Sequence, residues 1–136
     1  MSDEDFLKLA VEAGKKSKSD FKFGAVMVKD GRVIAADCNH VAERSDPSAH
    51  AEVSTIVEAC KTEGNHNLKG CTLYASHEPC IMCFACAAWA EVERVVYSYP
   101  ASEINDDMYE FKGVSLKDMA SKLIRPMKLE QVRIME

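Results

Sequence analysis

Cys71-Thr72-Leu73-Tyr74-Ala75, Pro79-Cys80-Ile81-Met82-Cys83 and Val95-Val96-Tyr97 together decide the fold of this chain. The first segment reads as a strand, the stretch from 79 to about 90 as a helix, and the third segment as another strand. Upstream, Phe23-Gly24-Ala25-Val26-Met27-Val28 and Val33-Ile34-Ala35 flank Asp30-Gly31, a pair that signals a two-residue hairpin. An opening helix places Phe6, Leu9, Ala10 and Ala13 on one stripe, with Ser2 and Asp5 at capping-box spacing. Asp46-Pro47-Ser48 is expected to start a further helix, with Ala49, Val53, Ile56, Val57 and Cys60 inward and Gly64-Asn65 at its end. Ser115 with Asp118 predicts a helix through Ile124, and a last strand is expected from Lys128 to Ile134. Strand and helix alternate after an initial hairpin, the pattern of a layered α/β domain with a mixed sheet.

The chain has 136 residues, 47% of them apolar and 29% charged, which fits one domain with an adequate core and excludes a disordered chain. No apolar run approaches the ~20 residues of a membrane span, and the start Met1-Ser2-Asp3-Glu4-Asp5 is acidic where a secretory signal is basic, so a cytoplasmic protein is expected. The net charge of −5 argues against affinity won by neutralising phosphates. Six cysteines without a signal peptide read as reduced thiols, in which case clustering points to metal or catalysis.

Three of them cluster, as Cys80, Cys83 and Cys86. Pro79 suits the first helical position, which puts Cys80 and Cys83 on one side of the first turn, where the helix N-terminus favours thiolate. His50-Ala51-Glu52 opens the preceding helix. Two thiolates and one imidazole make three zinc ligands and leave a position for water, the mark of a catalytic zinc. Glu52, two residues past His50, shares the site only if that site lies at the helix end, where its carboxylate can do general acid–base work on the bound water. C-x-x-C alone fits a redox pair as well, and H-x-E alone carries little. Together, H-x-E followed by P-C-x-x-C is the signature of zinc nucleobase deaminases.

From Phe23-Gly24-Ala25 through Asp46-Pro47-Ser48-Ala49-His50-Ala51-Glu52 to Glu78-Pro79-Cys80-Ile81-Met82-Cys83, the chain resembles the cytidine/deoxycytidylate-type deaminase superfamily. The resemblance implies a three-layer α/β/α fold with a five-stranded mixed sheet. It also implies one Zn2+ per chain on His50, Cys80 and Cys83, and hydrolytic deamination with Glu52 shuttling protons. Trp89 and Ile104-Asn105-Asp106-Asp107 resemble the bacterial guanine deaminases most closely. That likeness implies guanine as substrate, Asp107 as a second catalytic group, Asn39 as a hydrogen-bonding contact, and Phe23, Ala51 and Trp89 as further substrate contacts. The chain departs from that branch at Lys22, His77 and Glu91, and the branch's closing tail after the last strand is not expected here. The family also implies a homodimer, often through the helix that begins at Pro79.

Other functions compete with this one. A tRNA adenosine deaminase needs a basic track, whereas Ser102-Glu103-Ile104-Asn105-Asp106-Asp107 and Glu110 repel phosphate. Cytosine, pterin or aminotriazine are alternative small substrates. A non-catalytic zinc module has no structural need of Glu52. Among the remaining residues, Cys38, Cys60, Cys71 and Cys86 are expected in the core, and His40 and His66 in solvent. Lys15-Lys16-Ser17-Lys18 reads as a solvated helix end, and His77 as either a pocket residue or a strand-end residue satisfied by backbone.

Overall fold

The computed structural model describes residues 1–104, 110–111 and 113–135. Helix α1 (Asp3–Gly14) opens with the expected capping box: the Asp5 amide donates to Ser2 Oγ (3.2 Å) and the Ser2 amide to Asp5 Oδ2 (3.0 Å). Strands β1 (Gly24–Lys29) and β2 (Arg32–Cys38) form the hairpin, with Asp30 and Gly31 both at positive φ (50° and 75°). That turn matches the right-handed twist of the flanking strands. Next come α2 (Val41–Arg44), α3 (Ala51–Glu63), β3 (Cys71–His77), α4 (Ile81–Trp89), β4 (Arg94–Tyr99), a 3-10 turn at Ala101–Glu103, α5 (Leu116–Ala120) and β5 (Lys128–Gln131).

The five strands lie in the order β2-β1-β3-β4-β5; β1 is antiparallel to β2 and β3, while β3, β4 and β5 run parallel. Alternation along the strands sends Ala25, Met27, Leu73 and Val95 to one face, where Ile56 and Ala59 of α3 and Phe84 and Ala87 of α4 cover them. Val26, Val28, Tyr74 and Val96 face the other way, under Phe6 and Leu7 of α1. This is the expected three-layer α/β/α arrangement with a five-stranded mixed sheet.

Helix boundaries differ from the sequence expectation for local reasons. Asp46-Pro47-Ser48 is a turn rather than a helix start: Asp46 Oδ1 accepts from both the amide and the hydroxyl of Ser48 (2.9 and 2.7 Å). Such bonds compete with helical ones, and α3 begins only at Ala51. Pro79 likewise precedes α4, because Cys80 keeps extended backbone (φ −74°, ψ 172°) as the N-cap. On α1 the inward residues are Phe6, Leu7, Ala10 and Ala13, while Leu9 is exposed. On α3, Val57 is exposed and the buried face carries Glu52, Ser54 and Thr55. The last helix stops at Ala120, and Ile124 stands in solvent. Strand β5 ends at Gln131. The expected glycine stop at Gly64 (φ 67°) is present, with the amides of Gly64 and Asn65 donating to Lys61 O and Cys60 O.

Two contacts hold α1 on the sheet. Its C-terminal Gly14 crosses Gly24 so closely that a Cβ on Gly24 would lie 2.0 Å from Ala10 O and 2.3 Å from Gly14 N. At the other end, Arg94 donates to Asp3 (2.9 Å) and Glu130 (3.2 Å), and the Tyr74 hydroxyl donates to Asp3 (2.6 Å). Gly24→Ala is expected to cost about 3 kcal/mol or more, read from the urea midpoint, because backbone rather than a side chain must yield. The hydrogen bonds from Arg94 and then Tyr74 hold Asp3 below its ordinary 3.8. Its contribution is therefore present above that value and lost as pH falls through the lower folded value. Asp3→Asn is expected to lower stability at neutral pH and to flatten the acid limb of a pH–stability profile.

Candidate active site

The carboxyl ends of β2, β3 and β4 and the start of β1 share one edge of the sheet, since Gly24 pairs with Cys38 and His77 with Tyr99. Ligands of open α/β sheets gather at such edges. Both α3 and α4 start there. Their N-caps, His50 and Cys80, have extended backbone and make no side-chain capping bond, which leaves both side chains for another purpose. The turn at 46–49 aims the first of them: Ala49 N–H donates to Asp46 O (3.1 Å), His50 N–H to Ser48 O (2.8 Å), and His40 N–H to Ala49 O (2.9 Å).

His50 Nδ1 lies 3.6 Å from Cys80 Sγ and 3.5 Å from Cys83 Sγ, and the two sulfurs are 3.6 Å apart. Ordinary zinc–sulfur and zinc–nitrogen bond lengths give tetrahedron edges of about 3.5–3.8 Å. The donor set, one imidazole nitrogen and two sulfurs, therefore fits zinc in both chemistry and spacing, and three protein ligands leave a coordination position open. The backbone amides of Cys83 and Val53, at the helix starts, favour the thiolate forms of Cys80 and Cys83 respectively.

These contacts set the protonation states. The hydrogen bond with Cys83, helped by His50, brings the Cys80 thiol down to about 4, while Cys80 and burial push Cys83 far up. The pair thus carries one thiolate readily, and the second awaits a cation. Hydrogen bonding to Cys80 raises His50. Glu52 is only 5% exposed, and burial pushes its carboxyl up to about 7, against the opposing pull of its own backbone amide. A carboxyl balanced near neutrality beside the ligand set can both take and return a proton.

Other expected site residues are distributed unevenly. Phe23 and Ala51 lie at the site edge, Phe23 half-buried and Ala51 fully buried at the start of α3. Asn39 follows β2 on the same edge, its Oδ1 accepting from Val41 N–H (3.1 Å). Asp107 lies outside the described residues. Trp89 is not brought to the site within one chain: it ends α4, roughly 13 Å along the axis from Cys80 at 1.5 Å per residue, and is 80% exposed. Cys38 and Cys71 are buried, while Cys60 and Cys86 are half-buried against the core, and His66 is exposed. His40 is not solvated as expected but half-buried between Asp37 and Glu43, with which its two ring nitrogens pair.

A wall of rings was not foreseen. His77 stacks between Phe23 (centroids 4.2 Å) and Tyr99 (5.0 Å), and Arg133 covers Tyr99 at 4.3 Å. His77 Nδ1 meets Ser76 Oγ (2.7 Å), which also accepts from Gly24 N–H (3.0 Å). The period-2 alternation from Val95 through Tyr97 to Tyr99 carried the only signal for Tyr99.

The profile described as the cytidine and deoxycytidylate deaminase zinc-binding region matches residues 1–99. The chain is 46% identical over 121 residues to a guanine deaminase of Bacillus subtilis, covering 84% of this chain and 78% of that protein. It is 41% identical over 100 residues to a tRNA-specific adenosine deaminase of Aquifex aeolicus, covering 72% and 66% respectively. The X-ray structure of a Bacillus subtilis guanine deaminase superposes with a TM-score of 0.75 at 34% identity, covering 100% of this chain and 85% of that one. A structure from work on A-to-I editing by tRNA A34 deaminases superposes with a TM-score of 0.80 at 28% identity, covering 93% and 91%.

Cys83→Ser and His50→Ala are each expected to weaken zinc binding by more than the ~10–100-fold that loss of an outer-shell partner costs. Metal content after dialysis against a competing chelator measures this.

Proposed function

We propose that this chain, which belongs to the cytidine and deoxycytidylate deaminase family, hydrolyses the exocyclic amino group of free guanine to leave xanthine and ammonia. The observation that carries the reading is Glu52, buried at the start of α3 beside His50, Cys80 and Cys83 and set near neutrality. Neither metal binding nor packing requires a carboxylate there, whereas proton transfer does.

When bound by His50, Cys80 and Cys83, zinc supplies a water acidified to near neutrality. Glu52 takes a proton from the attacking water and delivers it to the amino nitrogen. The C–N bond breaks, ammonia leaves, and the ring carbon keeps the oxygen as a carbonyl. Asn39 and the backbone at Ala51 would hold polar atoms of the base, with Phe23 against its ring. Asp107 would carry the second proton transfer. Guanine is favoured over other bases by the longer and closer match to the Bacillus subtilis guanine deaminase. An unpaired polar group in such a pocket rejects bases that lack the partner.

A second reading, deamination of adenosine in tRNA, is supported by the TM-score of 0.80 to the tRNA A34 deaminase structure. Against it stands the chain's net charge of −5. We also propose a homodimer through α4, which contains no charged residue and turns Met82, Ala85 and Trp89 outward. No helix among the described residues is long and apolar enough to cross a membrane.

Zinc-loaded protein is expected to release ammonia from guanine, and Glu52→Gln to lose about 10²–10⁴-fold in kcat while keeping its zinc. Silence toward guanine, with inosine formed in tRNA, would replace the first reading by the second. Trp89→Glu is expected to shift light scattering from dimer to monomer; a wild-type monomer at micromolar concentration removes the dimer.

A further inference from the structure

We propose that Asp37, Cys38 and His40 form a second site for a divalent, borderline-soft transition-metal ion such as zinc, separate from the His50, Cys80 and Cys83 centre. The three residues stand at the end of β2. One ligand atom from each lies within 4.8 Å of the others: a carboxylate oxygen, a sulfur and an imidazole nitrogen. Cys38 Sγ is 3.8 Å from His40 Nε2, close to the separation of two zinc ligands. The same nitrogen is paired with Asp37 Oδ1, so two of the three donors already converge on one point.

The opposite side of the ring supplies a second, independent feature. Glu43 pairs with His40 Nδ1. A carboxylate on the far nitrogen of a histidine fixes the ring and raises its basicity, as in carboxylate–histidine–metal arrangements. Here it holds Nε2 toward Asp37 and Cys38. The setting is partly sheltered, with Cys38 buried and the side chains of Asp37 and His40 only 19% and 15% exposed, so an entry path remains.

The surrounding charge also suits a cation. Asp37, Glu43 and the nearby Glu58 outnumber Lys18, which lies 3.8 Å from Glu43, and Arg44. On binding, the Cys38 thiol and the His40 Nε2–H each release a proton to solvent, and Asp37 withdraws from its hydrogen bond to the ~3.3 Å edge of a tetrahedron. Asp37 Oδ1 accepts Cys38 N–H at 2.8 Å, which keeps the carboxylate beside the site during that adjustment.

Occupancy would reach the active site through the chain. Asn39 lies between Cys38 and His40, and its side chain accepts from Val41 N–H. His40 N–H in turn donates to Ala49 O, next to His50. An ion bracketing Asn39 would stiffen the segment from which that side chain reaches toward substrate.

The test is metal content per chain after equilibration of the full chain with excess zinc and gel filtration. Wild type is expected to retain one more ion than Cys38→Ser, His40→Gln or Asp37→Asn, with circular dichroism showing that each variant is folded. Cobalt substitution gives a second readout. The thiolate-to-cobalt band should fall by about a third in Cys38→Ser, from three ligating sulfurs to two. Equal metal content in wild type and all three variants overturns the proposal, as does a cobalt band unchanged by loss of Cys38.

Discussion

Two helices of this chain aim their positive ends at one spot. His50 and Cys80 are N-caps whose side chains make no capping bond, and the starts of α3 and α4 converge where the donor atoms are 3.5–3.6 Å apart. Such a meeting is repulsive unless negative charge sits within it. The Cys80 thiolate supplies that charge first, and a dication would let Cys83 and Glu52 add theirs by offsetting the repulsion among the three. The backbone amides of Cys83 and Val53 favour the thiolate forms, so the helix starts themselves belong to the electrostatics of the site. Everything else in the fold serves to hold these two helix starts in register.

The sheet does this through its parallel half. Strands β3 and β4 deliver His77 and Tyr99 side by side, and the chain leaves β3 directly into Glu78, Pro79 and Cys80. Glu78 is tied on both sides, its amide donating to Tyr99 O (2.8 Å) and its carboxylate accepting from Ala101 N–H (3.1 Å). On the other layer, the approach of Gly14 to Gly24 lets α1 lie against the start of β1 without a side chain between them. The Gly24 amide then turns to Ser76 Oγ, so the packing of the far helix and the floor of the ring wall meet at one residue.

Most of the architecture was readable because it rests on local chemistry. Ser2 with Asp5, Asp30-Gly31 and Gly64-Asn65 each encode a cap or turn within a few residues, and each does so in the structure. The cluster of His50, Cys80 and Cys83 was readable for a different reason, since few structures need H-x-E and P-C-x-x-C together. What escaped was set by tertiary context. The buried polar face of α3 depends on partners such as Ala25 O, which accepts from Thr55 Oγ1 at 3.3 Å across 30 positions of chain. Similarly, Asp37, Cys38, His40 and Glu43 look like an ordinary polar loop until the end of β2 folds them around one imidazole.

The two ends of the described chain leave the domain on opposite sides. Asp3 is anchored to Arg94 at the amino end of β4, whereas the strand that follows Lys128 runs parallel to β4 and brings Ile134 to Ser98, where its amide donates to Ser98 Oγ at 3.0 Å. A tether on residue 1 therefore faces a support with the edge that carries no ligands. Immobilised or fused through that end, the protein presents its donor cluster outward to whatever is passed over it, while a fusion after residue 135 would crowd the mouth of the site.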